Sequence, residues 1–328
     1  MVLFGGGGSS GLLTDTWLWD GTSWTPASPA SSPSARSNAS LAFDAAHNEL
    51  LLFGGCTATS TDTWAWTGST WVPRPSVLAP AGACAAQLAP DAQNHLVAFG
   101  GSQNGGKYTG DTWTWNGAWS RVVTPVAPAS RSFQGMVYDA ARSKTVLFGG
   151  TLQQGGARAG DTWQWDGTRW AQALLTSTPP ARSSFAMDFD VARSRVVLFG
   201  GAYDSTTLLG DTWTWDGTTW ANANPATSPQ MRWGHAMAYD AQRARMVLFG
   251  GITGTTVQTT LQDTWTWDGT TWAKVTLSTS PPPSEIKAAD WANLVHRGIA
   301  RASVPRRCVG VRNEPPPISA AVAFTEED

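Results

Sequence analysis

Ten residues, Asp211-Thr-Trp-Thr-Trp-Asp-Gly-Thr-Thr-Trp220, recur in recognisable form six times, and any fold for this chain must place all six copies equivalently. The copies begin at Asp15, Asp62, Asp111, Asp161, Asp211 and Asp263, a period of about 50 residues. That regularity overrides the two-domain reading that 328 residues would otherwise suggest and points to one closed array. Trp213 and Trp215 stand two apart, so on a strand both face one way. Asp216-Gly217 then supplies a tight turn, and Trp220 opens the returning strand. Eighteen of the twenty tryptophans lie in these hairpins. At roughly 25 cal/mol per Å² of buried area each contributes on the order of 4–6 kcal/mol as an upper bound, so the repeated indoles form a core.

Residues 182–220 display a full unit of four short strands, a to d. Strand a opens at Arg182-Ser-Ser-Phe-Ala-Met-Asp-Phe-Asp190, strand b is Val196-Val-Leu-Phe-Gly-Gly201, and the tryptophan hairpin forms c and d. Strand b is apolar on both faces, as a strand sandwiched between neighbouring sheets requires. Strand a carries small residues, such as Ala39-Ser40 and Ala236-Met237-Ala238, which suit a crowded axis. The Phe-Gly-Gly ending of strand b recurs at Phe4, Phe53, Phe99, Phe148, Phe199 and Phe249, and its glycines permit a bulge or a close backbone approach. Twelve positions separate Trp24 from Arg36, Trp119 from Arg131, Trp170 from Arg182 and Trp220 from Arg232, so the d-to-a connection has fixed geometry. The b-to-c loop varies in length instead. In a meander of this kind the b–c and d–a connections leave on one face.

A net charge of −2 gives no reason to expect nucleic acid or an anionic membrane as partner, and no apolar run is long enough to span a bilayer. No signal peptide precedes Val2. The chain begins within what is elsewhere strand b, which suggests an upstream start or a truncated gene model.

Phe-Gly-Gly, the hairpin aromatics and the following Trp at this period resemble the kelch repeat. The Asp-Thr-Trp form is similar to bacterial kelch proteins related to the galactose oxidase central domain. The resemblance covers residues 1–283 and implies an all-β, six-bladed propeller of four-stranded antiparallel blades. The first blade lacks its own inner strand, and an atypical tail follows.

The register fails after Ser284. Residues 284–302 read as an amphipathic helix capped by Ser284, with Trp291, Leu294, Val295 and Gly298 along one side. Residues 284–328 form the tail, within which 318–324 either supply the missing strand or belong to unrelated sequence that leaves the ring open.

Arg36, Arg131, Arg182 and Arg232 share one repeat position, with Ala83 as the exception. The resemblance implies that such arginines line a mouth that captures acidic peptides; the alternative is that they tether blades. The hairpin aspartates, such as Asp15, Asp161 and Asp211, read as turn caps rather than metal or acid–base groups. Residues that break the repeat are the better ligand candidates: Lys107, Tyr108, Arg158, Tyr203, Asp204, Trp233 and His235. Galactose-oxidase chemistry needs copper on paired His and Tyr. His47 and His95 fall on the face opposite His235, and no metal-ligand spacing or catalytic elbow is legible, so no cofactor or metal and no enzymatic activity is expected. Cys56 and Cys84 fall on adjacent blades and are candidates for a disulfide, which would favour export. The expectation is a non-catalytic scaffold binding a protein, peptide or glycan through the b–c and d–a face. The alternatives are an oxidase-related or carbohydrate-active propeller without its catalytic centre, and a structural envelope or adhesin module.

Overall fold

Short apolar runs separated by Asp- and Gly-bearing turns leave no segment long enough for a core helix, so each unit pairs with itself as a meander. The computed structural model describes residues 1–8, 11–56, 61–103, 106–153, 156–277, 279–281, 284–285 and 291–292. In the fifth blade, strands a Ala186–Asp190, b Arg195–Ala202, c Leu208–Trp215 and d Trp220–Asn222 pair antiparallel in that order. Blades 2, 3, 4 and 6 repeat the order from strands a at Ser40–Asp44, Gln87–Pro90, Gly135–Asp139 and Ala236–Asp240. The protein is therefore an all-β propeller of six blades.

The blades meet through six apolar clusters, one per interface. Strand b divides its side chains between two of them: Val196 and Leu198 face blade 4, whereas Val197 and Phe199 face blade 6. The cluster of Leu3, Trp19, Trp24, Ala236, Val247 and Phe249 joins the sixth blade to the first. One contact unit recurs at every interface. The first indole of strand d packs on the Phe-Gly-Gly phenylalanine of the preceding blade, at centroid distances of 5.1 Å for Trp71–Phe4, 4.7 Å for Trp119–Phe53, 5.4 Å for Trp170–Phe99, 5.3 Å for Trp220–Phe148, 5.2 Å for Trp272–Phe199 and 5.6 Å for Trp24–Phe249. The same indole donates its N–H to the threonine of the preceding Asp-Thr-Trp, for example Trp220 to Thr162 at 3.0 Å and, across the closure, Trp24 to Thr264 at 3.4 Å. Buried indole nitrogens need such partners, and the Thr between Asp and Trp supplies one in all six blades.

The first glycine of Phe-Gly-Gly is fixed by the same interface. Gly200 has φ +65°, and a Cβ there would stand 2.7 Å from the carbonyl oxygen of Arg232 in the next blade. The second glycine, Gly201, donates its N–H to that carbonyl at 2.9 Å. The close backbone approach expected from the glycine pair is thus an inter-blade hydrogen bond.

The inner strands neighbour one another around the axis, and Trp291–Ala292 fills the gap between those of blades 6 and 2. It pairs antiparallel with Val2–Leu3 of the first blade's strand b, Val2–Gly8, while Ser284–Glu285 pairs with Gly7–Gly8. These four residues are extended where a helix over 284–302 was expected; the rest of that stretch lies outside the described residues. Its i, i+3, i+4 pattern was weak, and the unpaired edge of Val2–Gly8 offers backbone hydrogen bonds to an extended segment. Residues 318–324, expected as a closing strand, lie outside the described residues.

Candidate functional site

At the face where the b–c and d–a connections leave, the repeated arginines are consumed by their own blades. Arg182 is fully buried; its Nε donates to the Pro180 carbonyl, and its terminal nitrogens to the Gly200 carbonyl and to both oxygens of Asp211 at 2.6 and 2.8 Å. Arg36, Arg131 and Arg232 repeat this arrangement with Asp62, Asp161 and Asp263. The aspartate also accepts an indole N–H, that of Trp213 on Asp211 at 2.7 Å. Burial alone would raise the Asp211 carboxyl, but the hydrogen bonds and charge of Arg182, with the Trp213 bond, outweigh it and hold the pKa below the ordinary carboxylate value.

The turn-cap expectation is therefore corrected for Asp161 and Asp211, as for Asp62 and Asp263, because a bidentate arginine sits within reach; Asp15 instead accepts the Trp17 indole N–H. Capping belongs to the Asp-Gly aspartates: Asp216 Oδ1 accepts the N–H groups of Thr218 and Thr219 at 2.9 and 2.8 Å, while Gly217 takes φ +99°. Blade 3 departs from the pattern. Ala83 replaces the arginine, and Asp111 pairs with Arg121 instead. Beside Ala83, Cys84 is disulfide-bonded to Cys56 of blade 2, with Cα atoms 4.4 Å apart.

Residues that break the repeat sit on the loops of this face. Lys107 and Asp204 are exposed, Tyr203 is 48% exposed, and Tyr108, Arg158 and Trp233 are half-buried. Tyr108 donates its backbone N–H to the Gln153 side chain, which links the b–c loops of blades 3 and 4. Arg158 lies on that second loop; one terminal nitrogen donates to the Gly156 carbonyl, and its buried Nε has no partner. Asp204 is occupied in capping Thr206 and Thr207.

The histidines do not gather. His235 is fully buried between blades 5 and 6, its ring 5.5 Å from that of Phe199. Burial chiefly, with the Arg232 charge, lowers its pKa to about 3. His47 and His95 belong to a–b turns at the other face. There His47 pairs with Asp44 at 2.8 Å, and the corresponding Arg142, Arg193 and Arg243 pair with Asp139, Asp190 and Asp240. Each of these arginines also reaches a backbone carbonyl of the next blade: Ser194, Ala244 and, across the closure, Asp20 at 2.8 Å. These inter-blade latches were not anticipated, although Asp-x-x-Arg in three successive turns was a readable signal.

Sequence reasoning also missed the central channel. A cavity of about 910 Å³ runs along the inner strands and is lined at the a–b end by Gln93, Asn94, His95, Asn116 and Tyr138. At one position of strand a the blades carry Ala42, Ala89, Val137, Asp188 and Ala238, so at that position only blade 5 has a carboxylate; Asp91, at the end of the strand in blade 3, also lines the cavity. Burial pushes the Asp188 pKa up to about 6, against the lowering effect of the Phe189 and Tyr239 N–H groups.

Five four-stranded sheets and a first blade completed by two short segments, Phe-Gly-Gly at the inter-blade contact and a tryptophan hairpin in each unit define a repeat-built β-propeller. The model of the KLHDC2/KLHL20/DRC7 Kelch-repeats domain matches residues 136–294, and that match together with the six-bladed fold supports a kelch-repeat propeller. A comparison with curated proteins finds no match.

Proposed function

We propose that the protein is a non-catalytic binding scaffold whose ligand docks on the face formed by the b–c and d–a loops. Kelch propellers commonly serve as interaction scaffolds, and the division of labour among residues supports the same reading. The periodic arginines, aspartates and tryptophans are spent on the ring. The residues at the mouth that break the repeat are Lys107, Tyr108, Arg158, Tyr203 and Trp233. One observation carries the proposal furthest, the buried and unpartnered Nε of Arg158, on a loop joined through Gln153 to the backbone of Tyr108. An unsatisfied buried donor favours an incoming acceptor, and half-buried aromatics supply anchoring area. The ligand chemistry that fits is a peptide segment presenting a carboxylate or carbonyl oxygen. Arg36, Arg131, Arg182 and Arg232 take no direct part, because their guanidinium groups already have partners. His235, sealed between blades, is likewise left out. The Cys56–Cys84 bridge supports an oxidising compartment.

Parallel peptide and glycan arrays test this reading. Acidic peptides should be retained, and Arg158→Ala or Trp233→Ala should reduce retention by about tenfold, equivalent to about 1.4 kcal/mol each. Undiminished binding by both variants, or peroxide release from the copper-loaded protein, would contradict it.

A further inference from the structure

We propose that the central channel is a second binding site, for an organic cation bearing an alkylammonium or guanidinium group, with Asp188 as its counter-ion. Four of the five described inner strands place Ala or Val where blade 5 places Asp188, so the carboxylate is an exception at that position; Asp91, the other carboxylate on the wall, is already taken up by the Gln93 and His95 N–H groups and the Trp165 indole. Asp188 Oδ1 accepts the N–H of Phe189 at 2.8 Å, and Oδ2 accepts the N–H of Tyr239 at 2.7 Å. Each oxygen keeps a lone pair for a further donor. No cation pairs with Asp188 among the described residues. Its neighbours Asp139, Asp190 and Asp240, by contrast, each hold an arginine.

Asp188 is half-buried and faces the channel with no counter-ion among the described residues, so a cation entering the channel meets its charge in partly desolvated surroundings. The walls select the kind of cation. A hard metal ion needs several oxygen ligands, and no group of three acidic, His or Cys side chains suited to a metal occurs among the described residues. Alkyl stems instead match the alanines and valine of the wall, and the half-buried Tyr138 offers an aromatic face. A cavity of about 910 Å³ has room for a lysine or arginine side chain or for a free polyamine. The channel mouth lies among the a–b turns, on the face opposite Arg158, so this site stands whether or not the loop face binds a peptide.

The test is calorimetric titration of the full chain with n-butylguanidinium, n-butylammonium, neutral n-butanol and the tripeptide Gly-Arg-Gly. We expect saturable millimolar binding of the cations, none of butanol, and a loss of about tenfold or more in Asp188→Asn, which keeps an oxygen for the Tyr239 N–H. Binding of butylammonium or butylguanidinium marks a free small cation as sufficient; binding of the tripeptide alone assigns the cation to a peptide side chain. The carboxyl carbon shift of Asp188 in the unmutated protein provides a readout independent of variant folding and should move with the cations only. Absence of saturable cation binding, equal affinity in Asp188→Asn, or an unmoved Asp188 resonance would each overturn the proposal.

Discussion

Arg182 and Asp211 illustrate what the periodic residues do. The pair is bidentate, the guanidinium fully buried and the Asp211 side chain 24% exposed. Removing one partner strands the other, so Arg182→Ala should lower unfolding free energy by about 3 kcal/mol, with Arg182→Ala/Asp211→Asn less than additive in urea titrations. Because the folded Asp211 pKa lies below its unfolded value of about 4, this stabilisation is complete above that pH and is lost as pH falls through the folded value. His235 acts at higher pH. The unfolded imidazole takes up a proton near pH 6.5, the buried one only near 3, so its contribution is full above 6.5 and shrinks on acidification. At pH 5 the loss is about 2 kcal/mol. Blade 5 carries Phe185 at the equivalent position. His235→Phe should therefore fold and show a smaller fall in melting temperature between pH 7 and pH 5 than the parent; an equal fall would refute the assignment.

Elements show how much was readable beforehand. Strand b, with two apolar faces and a glycine pair, announced a sandwiched strand, and it packs on both sides. The tryptophan hairpin announced a one-sided indole face, and Trp213, Trp215 and Trp220 share one cluster. The role of each aspartate was not readable. Asp211 and Asp216 are both Asp beside a turn, and only the three-dimensional placement of Arg182 tells a clamp from a cap. Asp188 stood in plain view within strand a, but its significance needs the alignment of five inner strands around an axis. Ser284–Glu285 and Trp291–Ala292 went the opposite way: there a weak helical pattern lost to an open strand edge. At the irregular interface between blades 2 and 3, where Ala83 cannot clamp Asp111, the Cys56–Cys84 bridge closes a 28-residue separation. Loop-closure entropy assigns it about 3–4 kcal/mol, so Cys56→Ser/Cys84→Ser should lower the urea midpoint accordingly, with no change on adding reductant to the variant.

At the scale of the molecule, the central claim is that six units are equivalent pieces of one ring, so periodic residues maintain it and irregular ones meet ligands. Closure between blades 6 and 1 rests on non-local contacts: Trp24 with Phe249 and Thr264, and Arg243 with the Asp20 carbonyl. Trp220, between blades 4 and 5, holds the same position at an interior interface. Comparing the unfolding free energies of Trp24→Ala and Trp220→Ala in urea tests equivalence directly. A closed ring predicts that both cost about 3–5 kcal/mol, since both indoles are buried at an inter-blade contact. A Trp24→Ala cost near zero beside a full cost for Trp220→Ala would mean that Trp24 lies at a free edge, and would contradict the closed ring.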